Sequence, residues 1–484
     1  MSLRFVAVPT RDGTVLRGIH HAPADPGPVV LVLTPYGADR YHADGRFFAS
    51  RGYHFVSLDS RGRGDSDGEF RPFHDDAADG HDAVEWLAER AWSTGDVVTY
   101  GASYSGFVQW ALAGTRPPAL RALAPVASVC PGVDFPAVGG LTAAYAVRWL
   151  TFVRGRRLNS GPFGDRAYWR EIHREHGDRP FRDLDVASVG ERLPAFQEWL
   201  DHPAYDAYWA SFAPAAPVTV PVLTITGQYD DDQLGALTHL DRHDAGHPGA
   251  PLPPDRHTAS HLVMGPWDHP GTRSAARSFG GLEFTQDCVI DLPALHADWY
   301  DWVLGRGPCP DFLADRVTYF HIGGGWRHSP SLPEGPPARL DLPATTLRLD
   351  PDLVEDEPDG FREELTDTAF VHTAPAHAVT GRPRVVLTLS SDLPDFDLLV
   401  QLYLLPSGED DATLLTETPF RARHHDLTHP VELTLTFVSR AVSPGDRFGL
   451  RLRAPHRWYE TNHAARGEVR LGAGSYVSIP RAEG

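Results

Sequence analysis

The chain has 484 residues, 44 of them basic and 64 acidic, giving a net charge of −20 at neutral pH. Its length leaves room for two or three domains around a large core, and its acidity disfavours nucleic acid and anionic membrane surfaces as partners, so a small-molecule substrate is expected. Every basic residue is arginine; without a single lysine, Schiff-base, pyridoxal and P-loop chemistry, which all need an amine side chain, are excluded.

Residues 1–17 hold Arg4, Arg11 and Asp12 among the apolar ones, so neither a signal peptide nor a membrane span is expected, and a cytoplasmic location follows. The β-branched run 29–34 and the run 53–58, which ends at Asp59, each have the length of a buried strand. Residues 77–89 place Ala78, His81, Val84, Trp86 and Leu87 at helical spacing, and 97–100 is a short strand running into Gly101. Strand, helix and strand in that order imply a parallel sheet.

From 130 to 215 strand signals vanish, while Tyr145, Trp149, Tyr168, Trp169, Trp199, Tyr205, Tyr208 and Trp209 stand among helix formers, which reads as an inserted helical cap. These rings either pack the cap's own core or face a substrate. Sheet patterning resumes at 221–226 and 261–264, and 294–304 reads as a closing amphipathic helix. Beyond Gly305 the β-rich runs 317–322, 385–389, 398–404, 431–438 and 448–452 predict an all-β sandwich or jelly roll. The expected fold class is therefore an α/β core with a parallel sheet over 1–129 and 216–306, split by a cap over 130–215 and followed by a jelly-roll domain over 307–484. The acidic stretch 350–359 reads as a solvated loop. Cys130, Cys288 and Cys309 are too few and too scattered for a disulfide framework or a zinc pair.

A nucleophile elbow needs a strand turning sharply into a helix, with small residues around the serine so that the strained turn does not clash. Thr99-Tyr100-Gly101-Ala102-Ser103-Tyr104-Ser105-Gly106 has that context, although the common pattern puts glycine where Ser105 stands. A serine hydroxyl needs a histidine to take its proton, and the histidine a carboxylate to fix its tautomer. Asp230 follows the strand at 221–226, and His269 follows the strand at 261–264; both fall at carboxyl ends of strands, where open α/β sheets bind ligands. Asp231 and Asp232 compete with Asp230, and His239, His243, His247, His257 and His261 with His269. His239, His243 and His247 share an i, i+4 spacing that suggests a metal, but no acid motif accompanies them and Gly246 and Pro248 interrupt the helix. No metal or other cofactor is expected.

These residues resemble the CocE/NonD-type family of cocaine esterases, X-prolyl dipeptidyl peptidases and α-amino-acid ester hydrolases. The markers run along nearly the whole chain: Arg11-Asp12-Gly13, Thr34-Pro35-Tyr36-Gly37, Asp59-Ser60-Arg61-Gly62 with Ser66-Asp67-Gly68, Gly101 to Gly106 as G-x-S-Y-x-G, Tyr229-Asp230, and Gly265-Pro266-Trp267-x-His269. The family's serine motif carries its second glycine at the later position, as here. The resemblance implies Ser103 as nucleophile, Asp230 as orienting acid, His269 as base, and an oxyanion hole of the Tyr36 hydroxyl and the Tyr104 backbone N–H. It further implies a helical cap and a C-terminal jelly roll. In the amino-acid ester hydrolases a carboxylate two residues after the catalytic acid helps hold the substrate's ammonium group; Asp232 has that offset, while Gln233 replaces a further acid. Trp149, Trp169, Trp209 and Trp267 join Asp232 as candidates for substrate contact, which points to an aromatic or bulky acyl group. The expected activity is ester or activated-amide hydrolysis. X-prolyl peptidase or amino-acid ester hydrolase activity, acyl transfer, and an inactive carbohydrate-binding scaffold are the alternatives.

Overall fold

The computed structural model describes residues 2–176, 179–245, 260–350, 355–356, 358–423, 427–460 and 466–482. Its centre is a sheet of ten strands: β1 (Ser2–Pro9), β2 (Val15–Ala22), β3 (Gly27–Thr34), β4 (His54–Asp59), β5 (Ser93–Ala102), β6 (Leu120–Val126), β7 (Val222–Tyr229), β8 (Ser260–Asp268), β9 (Val317–His321) and β10 (Gly325–Ser329). They lie in the order β1-β2-β4-β3-β5-β6-β7-β8-β9-β10. Pairing is parallel from β4 through β9, and antiparallel at the β1-β2-β4 edge and at β9-β10.

All eight residues of β3 are buried, because a parallel strand covered on both faces has no solvent side. Its alternate residues enter different cores. Val30 and Val32 pack with Phe48 of α1 (His42–Ser50) and with Leu295 and Tyr300 of α6 (Leu292–Val303). Val29, Leu31 and Leu33 pack with Val84 and Leu87 of α2 (Asp76–Ala88) and Phe107 and Trp110 of α3 (Tyr104–Ala113). Helix α3 is buried at every position, since it lies under the cap; Trp149 of α4 (Tyr145–Phe152), Trp199 and Trp209 share its core. Five further short cap helices, Ser160–Gly164, Arg166–His176, Leu184–Val189, Pro194–Leu200 and Ala207–Ala210, confirm a helical insertion. Between β7 and β8 runs α5 (Gln233–Ala245), whose Leu237 and Leu240 pack on Leu262 and Met264.

The run 317–322, expected in the C-terminal β-domain, is β9 of the central sheet, with Leu262, Val263 and Met264 of β8 registered against Val317, Thr318 and Tyr319. A strand's own pattern does not say which sheet receives it, and the boundary expected at 307 falls before two strands of the core. Beyond β10 the chain builds antiparallel sheets, the largest of which orders Arg362–Glu364, Asp411–Arg423, Asp395–Leu405, Arg447–Arg453 and His372–Pro375. Within Asp395–Leu405, residues 398–404 are apolar apart from Gln401, and the strand is buried on both faces. Leu398, Val400, Leu402 and Leu404 enter the β-domain core, while Leu399 meets Leu141 of the cap segment.

Among the described residues of the acidic stretch, Glu355, Asp356 and Asp359 are more than half exposed, as a solvated loop requires, and each also meets arginine. Glu355 pairs with Arg453 at 2.5 Å and Arg451 at 3.2 Å, Asp356 with Arg457 at 3.3 Å, and Asp359 with Arg166 and Arg170 of the cap at 2.9 and 2.6 Å. In a chain whose only cation is arginine, such a stretch meets planar forks that bind carboxylates well. Cys130 and Cys288 are buried free thiols, and Cys309 is half-buried. Among the described residues no helix is long and apolar enough to cross a membrane.

Candidate active site

Strand β5 ends on Gly101 and Ala102, and α3 begins at Tyr104, leaving Ser103 alone at the turn with φ 61° and ψ −124°. A non-glycine residue held at positive φ stores strain that the surroundings must over-determine. Here the Ser103 N–H donates to Val126 O at 2.9 Å, and its carbonyl accepts from Gly106 and Phe107 at 2.8 and 3.1 Å. The two motif glycines are steric requirements. Gly101 has φ 145°, and a Cβ on it would lie 2.8 Å from the Ser105 Cβ. A Cβ on Gly106 would stand 3.0 Å from Ser128 Cα and Val126 O, so α3 packs closely on the chain leaving β6 only because that Cβ is missing.

Tyr36 sits just past β3, on a turn continued by Gly37 at φ 98°. Its hydroxyl donates to Ser103 Oγ at 3.4 Å and accepts from the Trp149 indole N–H at 3.1 Å. Burial raises the Tyr36 pKa, partly offset by these two partners, so the group stays a neutral O–H donor. Tyr104 supplies the first N–H of α3, one of the four that a helix leaves without an intrahelical acceptor. Its ring is enclosed between Phe73 and Trp149, and its hydroxyl donates to Asp76 Oδ2 at 2.5 Å while accepting the Phe73 N–H at 2.6 Å. Desolvation lifts the Asp76 carboxyl to about 7.

The second group of residues stands at the ends of β7 and β8. Asp230 is wholly buried and receives three donors: the His269 Nδ1–H at 2.8 Å and the Asp232 N–H at 3.1 Å on Oδ1, and the Thr226 hydroxyl at 2.7 Å on Oδ2. A carboxylate oxygen accepts, so Nδ1 is the nitrogen that donates to Asp230 and Nε2 is the ring nitrogen outside that pairing. Asp232 Oδ2 is 3.4 Å from the same Nδ1. Burial first, then the charges of Asp134, Asp230 and Asp231, push the Asp232 carboxyl well above its ordinary value. Asp134 is raised to about 7, chiefly by burial; its oxygens take the N–H groups of Cys130 at 2.8 Å and Gly235 at 2.6 Å. The Asp232 charge also acts on the Tyr36 hydroxyl, so the two groups share one electrostatic neighbourhood.

Not every expected site residue is brought there. Trp169, Trp209 and Trp267 are buried core residues, with indole N–H groups spent on the carbonyls of Pro162 at 2.9 Å, His202 at 2.7 Å and Cys288 at 3.1 Å. Trp149 is the exception, buried yet touching Tyr36. His239 stacks on Trp110 with centroids 5.2 Å apart and bonds Val129 O through Nε2 at 3.0 Å, and His243 meets the same indole edge-on. Both serve packing; His247 and His257 lie outside the described residues. Asp230, Asp232 and His269 present ligand atoms within 4.8 Å of one another, and the same residues are joined by the His269 Nδ1 contact to Asp230.

Three residues that sequence reasoning passed over surround the loop of Asp230 and Asp232. Asp134 stands alone between Val133 and Phe135, and its only sequence signal is distant: a Cβ on Gly235 would lie 2.1 Å from Asp134 Oδ2. Gln228 and Gln233, on either side of Asp230, bind the far β-strand. The Gln228 side chain accepts the Ser439 N–H at 2.7 Å, and Gln233 accepts the Phe437 N–H at 2.6 Å. The C-terminal sheets thereby brace the loop that carries Asp230.

A parallel sheet carrying a serine on a strained strand-to-helix turn, with an aspartate–histidine pair beyond two later strands, is the architecture of the α/β-hydrolases. The model of the X-Pro dipeptidyl-peptidase (S15) family matches residues 12–271, more than half of the chain, and the chain belongs to that family. Cocaine esterase of Rhodococcus sp. (strain MB1 Bresler) is 29% identical over 369 residues, which are 68% of this chain. The match spans 59% of that relative's own length. Two solved structures share the whole fold: an aminopeptidase from a marine sediment archaeon (Thaumarchaeota archaeon), with TM-score 0.80 and 20% identity, and an α-amino-acid ester hydrolase, with TM-score 0.78 and 19% identity. Each covers 99% of this chain and 96% of the other.

Proposed function

We propose that this chain is a serine hydrolase that cleaves an ester or activated amide through an acyl-enzyme. The observation that carries the reading is the Tyr36 hydroxyl 3.4 Å from the oxygen of a serine held at φ 61°. A donor aimed beside a strained nucleophile is placed for an oxyanion forming on the carbon that the nucleophile attacks. In this reading Ser103 Oγ attacks the carbonyl and its proton passes to Nε2 of His269. Asp230 holds the ring in the Nδ1–H tautomer and stabilises the imidazolium. Tyr36 O–H and Tyr104 N–H bind the oxyanion, and the imidazolium then protonates the leaving group. Water enters by the same route in reverse and releases the acid. The C-terminal sheets, which we read as a jelly roll, brace Asp230 through Gln228 and Gln233.

Likeness to cocaine esterase favours esters. One observation favours a second reading: the raised carboxyl of Asp232 stands 3.4 Å from His269 Nδ1, with the raised Asp134 acting on it electrostatically, and a substrate ammonium reaching Asp232 would ionise it and pair with it. The names of the two structural neighbours, an aminopeptidase and an amino-acid ester hydrolase, agree with that choice. A panel of phenyl esters, α-amino esters and prolyl dipeptide anilides, run on wild type and Ser103→Ala, tests both. Ser103→Ala is expected to abolish turnover of whichever substrate is cleaved while leaving the melting temperature in place. A preference for α-amino over des-amino esters that disappears in Asp232→Asn selects the second reading.

A further inference from the structure

The oxyanion tyrosine is gripped from two sides by residues that the mechanism above does not use. Arg63 lies in the loop after β4 and is 1% exposed. Its Nε donates to Pro35 O at 2.9 Å and its Nη1 to Val153 O. Burial lowers this guanidinium to about 10, with only the charge of Asp59 working the other way. A cation enclosed on two neutral carbonyls is expensive to keep, so what those carbonyls share is informative. Pro35 precedes Tyr36. Val153 caps α4, and its N–H bonds back to Trp149 O at 3.0 Å; the Trp149 indole in turn donates to the Tyr36 hydroxyl at 3.1 Å. The contacts close a ring from Tyr36 through Pro35, Arg63, Val153 and Trp149 back to Tyr36. Beside it, the Gly64 N–H donates to Arg156 O at 2.7 Å and Arg156 Nη1 to Ser66 O at 2.6 Å, tying the same loop to the chain after α4.

Resting on the serine-hydrolase reading, we propose that Arg63 and Trp149 are positioning residues for Tyr36, so that the oxyanion hole is complete only while cap helix α4 is docked on the 59–68 loop. A phenol has one proton and accepts through its lone pairs. With the indole N–H on one lone pair, the O–H is turned away from Trp149 and toward Ser103, and it becomes a stronger donor. Arg63 fixes the backbone at one end of this arrangement and the helix at the other, and sub-ångström placement of a donor is what transition-state binding depends on. The cap is then part of the chemistry as well as a wall of the pocket.

The test is a double-mutant cycle on the full chain with an activated ester, with active serines counted by fluorophosphonate labelling stoichiometry. Trp149→Phe keeps a ring against Tyr104 and removes the N–H together with part of the indole's packing surface. We expect kcat to fall about tenfold with KM within about twofold, and the same substitution to change nothing further in a Tyr36→Phe background. Arg63→Met is expected to lower kcat and to lose that effect in the same background, and it supplies a second arm should Trp149→Phe fail to fold. Fully labelled variants with wild-type kcat, or losses that multiply with that of Tyr36→Phe, would overturn the positioning role and leave Ser103 untouched. A wild type that takes no label overturns the serine reading, and this inference with it.

Discussion

Asp230→Asn separates the charge of the proposed orienting acid from its geometry, because the donors around this carboxylate allow an amide to replace it. Oδ1 takes the His269 Nδ1–H and the Asp232 N–H, while Oδ2 takes the Thr226 hydroxyl. An asparagine placed with its oxygen toward His269 and its NH2 toward Thr226 Oγ1, which can accept, keeps the Nδ1–H tautomer. What is lost is the negative charge facing the imidazolium, and that loss is partly compensated. Asp232 Oδ2 lies 3.4 Å from the same nitrogen, and removing Asp230 removes one of the charges that keep Asp232 protonated. A charged hydrogen bond exceeds a neutral one by about 1–2 kcal/mol, and the remaining charge term brings the total to about 3 kcal/mol, or about a hundredfold in kcat. With Asp232→Asn added, neither carboxylate is left and the loss should approach about ten-thousandfold. The assay is kcat on an activated ester under saturation, with a melting curve for each variant. If Asp230→Asn alone falls to the level of Ser103→Ala, the compensated geometry is wrong. If it stays within about threefold of wild type, Asp230 is not the orienting acid.

Three further outcomes follow from the packing and the shifted groups. Gly235→Ala drives a Cβ to 2.1 Å from Asp134 Oδ2 and 2.6 Å from Cys130 N; it should destabilise the chain by about 1–3 kcal/mol in urea unfolding, and an unchanged midpoint would count against the described contact. Asp76, at about 7 in the folded chain against 3.8 for the free group, holds its proton through that window, so its contribution is intact below pH 3.8 and lost as pH rises through 7. Asp76→Asn should therefore raise stability at pH 8 by up to about 4 kcal/mol and leave it unchanged at pH 3.5, as read by denaturant titration at the two pH values. His239, lowered to about 4 by burial, has the opposite sign: its contribution is present above pH 6.5 and lost as pH falls through 4. Its ring resonances should stay those of neutral imidazole at pH 5.5 in a folded sample, and a midpoint near 6.5 would show that the ring is solvated.

The residues of the proposed site were legible in the sequence because they stand where strong local signals end. Ser103, Asp230 and His269 each follow an apolar run that is a buried strand, and glycine, aspartate and proline punctuate the exits. What stayed hidden depends on partners far along the chain. The β1–β2 hairpin was unread because β1 is an edge strand with mostly exposed side chains, Phe5 among them, so no apolar alternation marks it. Asp411–Arg423 carries Glu417 and Pro419 within its thirteen residues, which breaks the strand pattern, yet it pairs along most of Asp395–Leu405. The aromatic residues of the cap advertised a binding surface and mostly form a core, since an indole's pattern is the same whether its far side meets substrate or another ring. The 59–68 loop was visible as a motif, but its purpose was not: the Asp59 carboxylate accepts the Ala38 N–H at 2.7 Å and Arg63 holds Pro35, so the whole loop is a bracket for the Tyr36 turn.

The most direct measurement is the mass of the enzyme after reaction with a fluorophosphonate or a slow ester, followed by peptide mapping. A single adduct on Ser103, formed by wild type, absent from Ser103→Ala and strongly slowed in His269→Ala, is the result expected of an acyl-enzyme built on this turn. An adduct on any other residue, or wild-type turnover by Ser103→Ala, contradicts the account at its root.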